Sequence, residues 1–316
     1  MARLFARRRV DTEVRQSAPA MSGRGVSLPF GLDLGSDGIG LVGVRLVRGQ
    51  AVITYARWES IPNLLDARNW TDSVKRGSEF IAQSFTEMRA TLGYHDRERR
   101  CVMAIPGNDV VSRKIEPPKK LSHNELTGLA HVKAEGLVKY SAAERSIGVD
   151  PLSDGQVLIS ITRKSLVNAR AQFARALGLR PIAVDSDWCA WQRAVAADAV
   201  LDLRDKNMPL LSVFGQQIHG HVEPGVTYSV PSAASDEQLA IRVGNAFLEL
   251  RRDRGFDIQT VAIATSAQRF ESVQNALTAI EGIAIIPVCI GGSEHPAWAL
   301  AYGLAQWKLA DYGVAA

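Results

Sequence analysis

The 316-residue sequence lacks long apolar runs and has little cysteine. No stretch approaches the roughly 18 consecutive apolar residues of a membrane-spanning helix, so none is expected. The three cysteines, Cys101, Cys189 and Cys289, lie far apart and form no CxxC, which argues against a disulfide framework and a zinc site. The arginine-rich start is not followed by the apolar segment of a secretory signal, so we expect a cytoplasmic protein.

The excess of positive over negative charge lies in the first 30 residues of the chain. The formal net charge is +4, and the arginines of residues 1–30 account for it, since the remaining basic and acidic residues balance. Because basic and acidic residues balance in the rest of the chain, no nucleic-acid partner is predicted. Residues 1–27 are predicted to form a flexible basic arm, either solvated or in contact with an anionic membrane surface through Arg3, Arg7, Arg8 and Arg9.

Apolar periodicity predicts an α/β fold built from two similar halves. In the first half, strands are predicted at 28–34, 39–47 and 50–58, with a hairpin turn at Arg48-Gly49 and a helix at 70–92. A long helix over 187–201 closes this half. In the second half, three strands at 209–214, 218–222 and 226–230 again precede a helix and a strand. The repeat predicts a mixed sheet flanked by helices in each half.

The same pattern predicts the domain organisation. We expect a first lobe over 28–207 that carries a small inserted α+β subdomain at about 117–183. The second lobe is expected over 208–295, and a C-terminal helix within 296–316 returns to the first lobe. A Ser122–Glu125 capping box is predicted to start a helix that ends near Lys139.

Three motifs resemble one protein family. Gly31–Ser36 reads GLDLGS, Ala104–Arg113 reads AIPGNDVVSR, and Leu177–Asp185 reads LGLRPIAVD. Together with the closing ALAYGL at 299–304, they are similar to the type IV pilus assembly protein PilM and its relative FtsA, in the actin-like superfamily. The resemblance extends from about residue 29 to 309 and implies duplicated ribonuclease H-like lobes.

This resemblance implies a nucleotide site between the lobes and also exposes departures from it. Asp33 would face the hydrated metal, and Gly35 and Ser36 the phosphates; Gly215 and Gln216 would serve the second turn. Gly40 stands where many relatives have lysine, and Asp37 adds a negative charge. The second D-x-G is placed at Val213–Gly215, where only the glycine remains, and the expected adenine-side glycine turn is absent from 265–268. We therefore expect a non-hydrolysing scaffold without a cofactor, with binding of ATP and magnesium as the alternative.

The resemblance further implies a partner. Such proteins bind the cytoplasmic N-terminal tail of a bitopic, PilN-like membrane protein, which places this protein in the cytoplasm at the inner membrane. The tail is expected in a groove between the first lobe and the insert, where extended peptides add main-chain hydrogen bonds. The candidate groove residues are Val110, Val111, Arg113, Leu121, Leu126, Val157, Ile159 and Ile161. The alternatives are an ATP-binding conformational switch of the same machine and a GspL-like component of type II secretion.

Other candidate sites have weaker support. His219 and His221 could lie on one face of a strand, but no third metal ligand has a suitable spacing. His131 and Glu135 lie one helical turn apart and are assigned to the helix surface. No GxSxG occurs, so no serine hydrolase elbow is expected.

Overall fold

The computed structural model describes residues 26–35, 38–61, 64–92, 99–118, 121–151, 155–204, 209–218, 221–290, 292–294 and 297–307. The predicted basic arm lies outside these residues except for its last two. The strands in this part of the chain are β1 (Val26–Ser27), β2 (Phe30–Leu34), β3 (Gly38–Val47), β4 (Gln50–Ser60), β5 (Arg100–Ile105), β6 (Val111–Ile115), β7 (Arg145–Pro151), β8 (Val157–Arg163), β9 (Arg180–Ser186), β10 (Ala199–Asp202), β11 (Leu210–Val213), β12 (Gln216–Ile218), β13 (His221–Glu223), β14 (Val226–Ser229), β15 (Thr260–Ala264), β16 (Ala284–Pro287), β17 (Cys289–Ile290) and β18 (Ser293–Glu294). The α-helices are α1 (Trp70–Leu92), α2 (His123–Ala134), α3 (Lys164–Ala176), α4 (Asp187–Ala194), α5 (Asp236–Arg254), α6 (Ala267–Leu277) and α7 (Ala299–Ala305).

The first lobe is built on a mixed sheet with the order β4-β3-β2-β5-β9, and β1 also pairs with β3. Every residue of β2 is buried, as expected for a strand covered on both faces. Strands β2, β5 and β9 are parallel, whereas β3 is antiparallel to β2. The predicted hairpin turn is confirmed, because Arg48 and Gly49 have φ angles of 52° and 79°, as a type I′ turn requires.

The second lobe repeats this arrangement in the order β14-β11-β10-β15-β16. Strand β10 lies between antiparallel β11 and parallel β15, as β2 lies between β3 and β5. It is therefore the counterpart of β2. The short hairpin of β12 and β13 forms a separate two-stranded sheet.

Two predictions about this region are wrong. The helix predicted over 187–201 ends at Ala194, and Ala199–Asp202 forms the central strand of the second sheet. The matching three-stranded unit therefore begins at Ala199 rather than at residue 209, and a lobe boundary at 207/208 separates β10 from its own sheet. The alanine-rich segment has helical propensity, but strand pairing on both sides of fully buried Ala199–Leu201 overrides it.

The insert, predicted at about 117–183, is a three-stranded antiparallel sheet in the order β6-β8-β7, covered by α2. Its strands lie within residues 111–163, because β9 pairs with β5 in the sheet of the first lobe. Its core contains Ala130 and Ala134 of α2 and Ile159 and Ile161 of β8. The predicted capping box is confirmed, because the Ser122 N–H donates to Glu125 Oε2 at 2.8 Å and the Glu125 N–H donates to Ser122 Oγ at 3.4 Å. The helix ends at Ala134, one turn before the predicted end.

Helix α7 packs against β2 and α4 of the first lobe at very short range. A Cβ atom on Gly31 would lie 1.7 Å from the Ala301 carbonyl oxygen, and one on Gly303 would lie 1.9 Å from that of Ala190. Around these elements one apolar cluster includes residues of both sheets, such as Val42 and Val102 of the first and Val200 and Ala262 of the second. None of the helices among the described residues has the length and apolar character needed to cross a membrane.

Candidate functional site in the cleft between the lobes

Two aspartates occupy equivalent places in the two lobes. Asp33 lies near the carboxyl end of β2 within Leu32–Leu34, and Asp202 ends β10 within Leu201–Leu203. Both tripeptides read Leu-Asp-Leu. Because carboxyl ends of parallel strands face the ligand-binding crevice in open α/β sheets, this edge is the candidate site.

The Arg204 guanidinium joins these two carboxylates. Its Nη1 donates to Asp33 Oδ2 at 2.6 Å, while Nη2 and Nε donate to Asp202 Oδ2 and Oδ1 at 2.8 and 3.0 Å. Nη1 also donates to the Ala297 carbonyl oxygen at 3.1 Å. The arrangement is a charge-assisted bridge between the lobes in which every guanidinium nitrogen is engaged.

The bridge is withdrawn from solvent. The side chains of Asp33 and Arg204 are 4% and 13% exposed. Burial raises the pKa of Asp33, and the attraction of Arg204 opposes that rise. Burial also disfavours the charged form of Arg204, but the attraction of Asp202 and Asp33 outweighs it and raises the arginine pKa. The arginine therefore stays charged, while its attraction offsets only part of the effect of burial on Asp33.

Aromatic rings complete the surroundings of the bridge. The Arg204 guanidinium carbon lies 5.3 Å from the Trp191 ring centroid and 5.7 Å from that of Trp58, within the range of cation–π attraction. Trp58 pairs with Gly40 across β3 and β4. A Cβ atom on Gly40 would lie 3.0 Å from the indole, and one on Gly38 would lie 2.6 Å from it. The Trp58 ring therefore covers the two glycines beside Asp33.

A second polar contact joins the lobes at Asp187, the first residue of α4. Its Oδ1 accepts hydrogen bonds from the Gly107 N–H and the Thr227 hydroxyl, both at 2.9 Å. Gly107 follows β5 of the first lobe, and Thr227 belongs to β14 of the second. Burial raises the pKa of Asp187 to about 7, although these two hydrogen bonds act in the opposite direction. The carboxyl group is therefore poised to gain or lose a proton near neutral pH.

The predicted nucleotide-site residues do not all meet in this cleft. Asp33 lies in it, and the Gly35 N–H donates to the Gly38 carbonyl in the adjoining turn at 3.0 Å. Ser36 and Asp37 lie outside the described residues. Gly215 and Gln216 follow Val213. Val213 pairs with Ala199, which lies at the opposite end of β10 from Asp202. Gln216 instead bonds the Asp257 backbone, at 2.8 and 2.9 Å.

The structure therefore corrects the assignment of the second turn. The counterpart of Leu34-Gly35 is Leu203-Arg204, not a turn at Val213–Gly215. The prediction missed Asp202 and Arg204 because Ala199–Leu201 was assigned to a helix. The repeated Leu-Asp-Leu at 32–34 and 201–203 is the signal that identifies them.

Half of the predicted groove residues are buried. Ile159 and Ile161 are 0% exposed, Val157 is 3% and Leu126 is 8%, so these four cannot line an open groove, and their assignment is wrong. The three on β8 are separated by half-buried residues because successive side chains of a strand point to opposite faces of the sheet, and one face packs on α2. Val111 and Arg113 are exposed on β6, and Val110 and Leu121 are half-buried.

The histidine candidates add no metal centre among the described side chains. Within that part of the chain, no group of three or more histidine, cysteine, aspartate or glutamate side chains is arranged to hold a metal ion. His219 lies outside the described residues, and the His221 side chain is not described. His131 and Glu135 are exposed at the end of α2.

Two sheets of equivalent order, with an aspartate from each lobe facing one cleft, define an actin-like protein. A family model described as type IV pilus assembly protein PilM matches residues 31–212, more than half of the chain. The chain belongs to this family of actin-like components of type IV pili. No curated protein matches it.

Solved structures share the fold at low sequence identity. A PilM–PilN type IV pilus biogenesis complex is 16% identical with a TM-score of 0.59, covering 91% of this chain and 98% of the other. The ethanolamine utilization protein EutJ from Carboxydothermus hydrogenoformans is 14% identical with a TM-score of 0.51, covering 93% and 92%. The cytoplasmic domain of EpsL from the type II secretion system of Vibrio cholerae is 10% identical with a TM-score of 0.45, covering 74% and 81%. That last similarity carries no argument for a secretion role.

Proposed function

We propose that the protein is a cytoplasmic adaptor of the type IV pilus machine at the inner membrane. In this proposal it holds the N-terminal tail of a bitopic, PilN-like partner and turns over no nucleotide. The family match supports the pilus assignment, and the complex formed by the similar PilM structure supports the kind of partner. The observation that carries the proposal is the Arg204 guanidinium lying between Asp33 and Asp202.

The cleft residues do not fit a nucleotide with magnesium. Acidic residues that orient a hydrated metal need free oxygen atoms, and phosphates need open glycine backbone. Asp33 and Asp202 both accept hydrogen bonds from Arg204. The Gly35 N–H, which would face a phosphate, donates to the Gly38 carbonyl instead, and the Trp58 ring lies against Gly38 and Gly40. The protein would therefore work through its surfaces rather than through hydrolysis.

The edge of the insert sheet is the surface best suited to an extended tail. Among the described residues β6 pairs with β8 alone, so its other edge offers unpaired main-chain groups. Val111 and Arg113 are exposed on this strand and supply one apolar and one basic contact. An added strand gains affinity from main-chain hydrogen bonds and specificity from alternate side chains.

Substitution on this edge tests the docking site. The probe is a fluorescent peptide copied from the cytoplasmic N-terminal tail of a PilN-like protein. Val111→Asp should weaken its binding at least about tenfold, because a charge replaces the apolar contact. Val132→Asp is the matched control, since Val132 is 66% exposed on α2 of the same insert. A wild-type protein that does not bind the tail, or equal losses in both variants, would refute the docking site.

Calorimetric titration with MgATP tests the absence of nucleotide turnover. The wild-type protein should show no saturable binding up to millimolar nucleotide and no phosphate release. Submicromolar binding that is lost in Asp33→Ala would instead favour the ATP-binding switch.

The basic residues Arg3, Arg7, Arg8 and Arg9 are proposed to add about 1 kcal/mol each of attraction to an anionic membrane surface.

A further inference from the structure

We infer that Arg204 is a built-in cation that does the work of a dissociable metal ion in holding the two lobes together. The inference deepens the proposed function, because it rests on a cleft that needs no nucleotide. The evidence is that the Arg204 side chain contacts residues of both lobes. Asp33 belongs to β2 of the first lobe, whereas Asp202 and Arg204 belong to the second.

Two buried carboxylates on opposite sides of a cleft require a cation between them. The side chains of Asp33 and Asp202 are 4% and 12% exposed, so water screens their repulsion poorly. A divalent ion with oxygen ligands is one solution to this problem. The Arg204 fork is another, and it binds Asp202 in a bidentate manner while a separate N–H reaches Asp33.

Because Arg204 follows Asp202 closely in the chain, its positive charge is a fixed part of the second lobe. Arg204 stands two residues after Asp202, where the first lobe has Gly35 two residues after Asp33. The backbone N–H of Arg204 donates to Asp202 Oδ1 at 3.1 Å, which fixes the start of the side chain beside the carboxylate. Because the cation is covalently attached to the second lobe, its contact with the first cannot be lost by ligand dissociation.

Hydrogen bonds within the protein engage every nitrogen of the guanidinium. Nη1 also bonds the Ala297 carbonyl, two residues before α7, and that helix packs against β2. The rings of Trp58 and Trp191 lie within cation–π distance of the same group. Arg204 thus connects the second lobe to both β2 and the segment that leads into α7.

Chemical rescue by a divalent ion tests this role. Removing the guanidinium in Arg204→Ala leaves Asp33 and Asp202 facing each other, which should lower the melting temperature and create a site for a small cation. Mn²⁺ binding, measured by electron paramagnetic resonance, should become at least about tenfold tighter than in the wild type. Millimolar Mn²⁺ or Mg²⁺ should raise the melting temperature of this variant by several degrees and leave the wild type unchanged.

Three further variants separate the role of the charge from general damage. Arg204→Ala combined with Asp33→Asn should lose the Mn²⁺ site, because one of its two carboxylates is gone. Arg204→Lys keeps the positive charge and should fold without gaining Mn²⁺ affinity. Arg57→Ala is the matched control, since Arg57 pairs with Glu87 within the first lobe at 3.0 Å, and it should gain no Mn²⁺ affinity.

The inference is overturned if Arg204→Ala binds Mn²⁺ no better than the wild type, or if Arg204→Lys gains the same affinity. If Arg204→Ala does not fold alone, refolding in Mn²⁺ supports the inference, and failure to refold there overturns it. These outcomes are distinct from failure of the proposed function. That failure would appear as MgATP binding by the wild type or as absence of tail binding.

Discussion

Asp187 illustrates how a single buried carboxyl group links stability to pH. Its side chain is 4% exposed and accepts hydrogen bonds from Gly107 of the first lobe and Thr227 of the second. Burial raises its pKa to about 7 from an ordinary value of 3.8. The charged groups near it include Asp202, which raises the pKa further, and the buried Arg170. The folded protein therefore holds a proton that the unfolded chain has released.

This difference predicts a pH-dependent stability. Between about pH 4 and pH 7 the folded state binds one more proton at this site than the unfolded state, so the free energy of unfolding should fall as pH rises. The contribution is about 1.4 kcal/mol per pH unit and levels off above pH 7. Asp187→Asn keeps an oxygen acceptor for Gly107 and Thr227 but cannot titrate, so its pH slope in this window should be shallower. Urea unfolding at several pH values measures both slopes.

The slope of Asp187→Asn should not vanish, because burial also raises the pKa of Asp33. Asp253→Asn serves as the control. A hydrogen bond from Arg252 lowers the pKa of that exposed carboxylate, so removing it should leave the decline between pH 4 and 7 in place. Equal slopes for wild type and Asp187→Asn would show that Asp187 does not hold the proton.

Individual site residues were only partly predictable from the sequence. Asp33 was identified because GLDLGS resembles the opening motif of the family, and that motif spans only six neighbouring residues. Arg204 contacts Asp33 across 171 positions of the chain, and no spacing rule relates two such residues. The repeat of Leu-Asp-Leu at 201–203 is a local signal for Asp202, but the helical propensity of the preceding alanines concealed it.

At the scale of elements, close packing of α7 depends on glycine. Gly303 lets the helix approach α4 so closely that an added Cβ would lie 1.9 Å from the Ala190 carbonyl oxygen. Gly31 of β2 permits the same approach on the other side, at 1.7 Å from the Ala301 carbonyl oxygen. Since the obstructing atoms are backbone, a larger residue forces whole elements apart.

Gly303→Ala is therefore expected to lower the free energy of unfolding by about 2–3 kcal/mol or more. Gly128→Ala is the control, because a Cβ there, within α2, would meet nothing within 4 Å. Alanine favours helix over glycine by up to about 1 kcal/mol, so this variant should be equally or more stable than the wild type. Urea unfolding measures both, and a Gly303→Ala protein of wild-type stability would contradict the close approach.

Elements with strong local signals were predicted well. The period of apolar residues located α1 at Trp70–Leu92, and the capping box located the start of α2. Strand β10 was missed because Ala199–Asp202 has no alternation and few β-branched residues. Its strand state comes from pairing with β11 and β15, whose partner residues lie up to 62 positions away in the chain.

At the scale of the whole molecule, the two lobes share a core. One apolar cluster contains Val42 and Val102 of the first sheet together with Val200 and Ala262 of the second. The bridges at Arg204 and Asp187 add polar contacts between the same lobes. The insert has a small core of its own around Ile159 and Ile161.

This organisation predicts how the molecule opens. Amide hydrogens of β5 in the first sheet and β15 in the second should exchange through one common opening with the same free energy. Amides of β8 in the insert should exchange through a separate opening of lower free energy, because its core is smaller. Native-state hydrogen exchange in low urea measures all three, and clearly different opening energies for β5 and β15 would contradict a shared core.

The sequence by itself determined the α/β class, the hairpin at Arg48-Gly49 and the long helix α1, since turn residues, caps and apolar periods act over a few neighbouring positions. The family came from the resemblance of its motifs. Tertiary structure alone decided that Ala199–Asp202 is a central strand, that Ile159 and Ile161 are core, and that Arg204 lies between Asp33 and Asp202. The physical reason is range. Burial and ion pairing depend on which distant segments meet, and that is settled by the packing of two complete sheets.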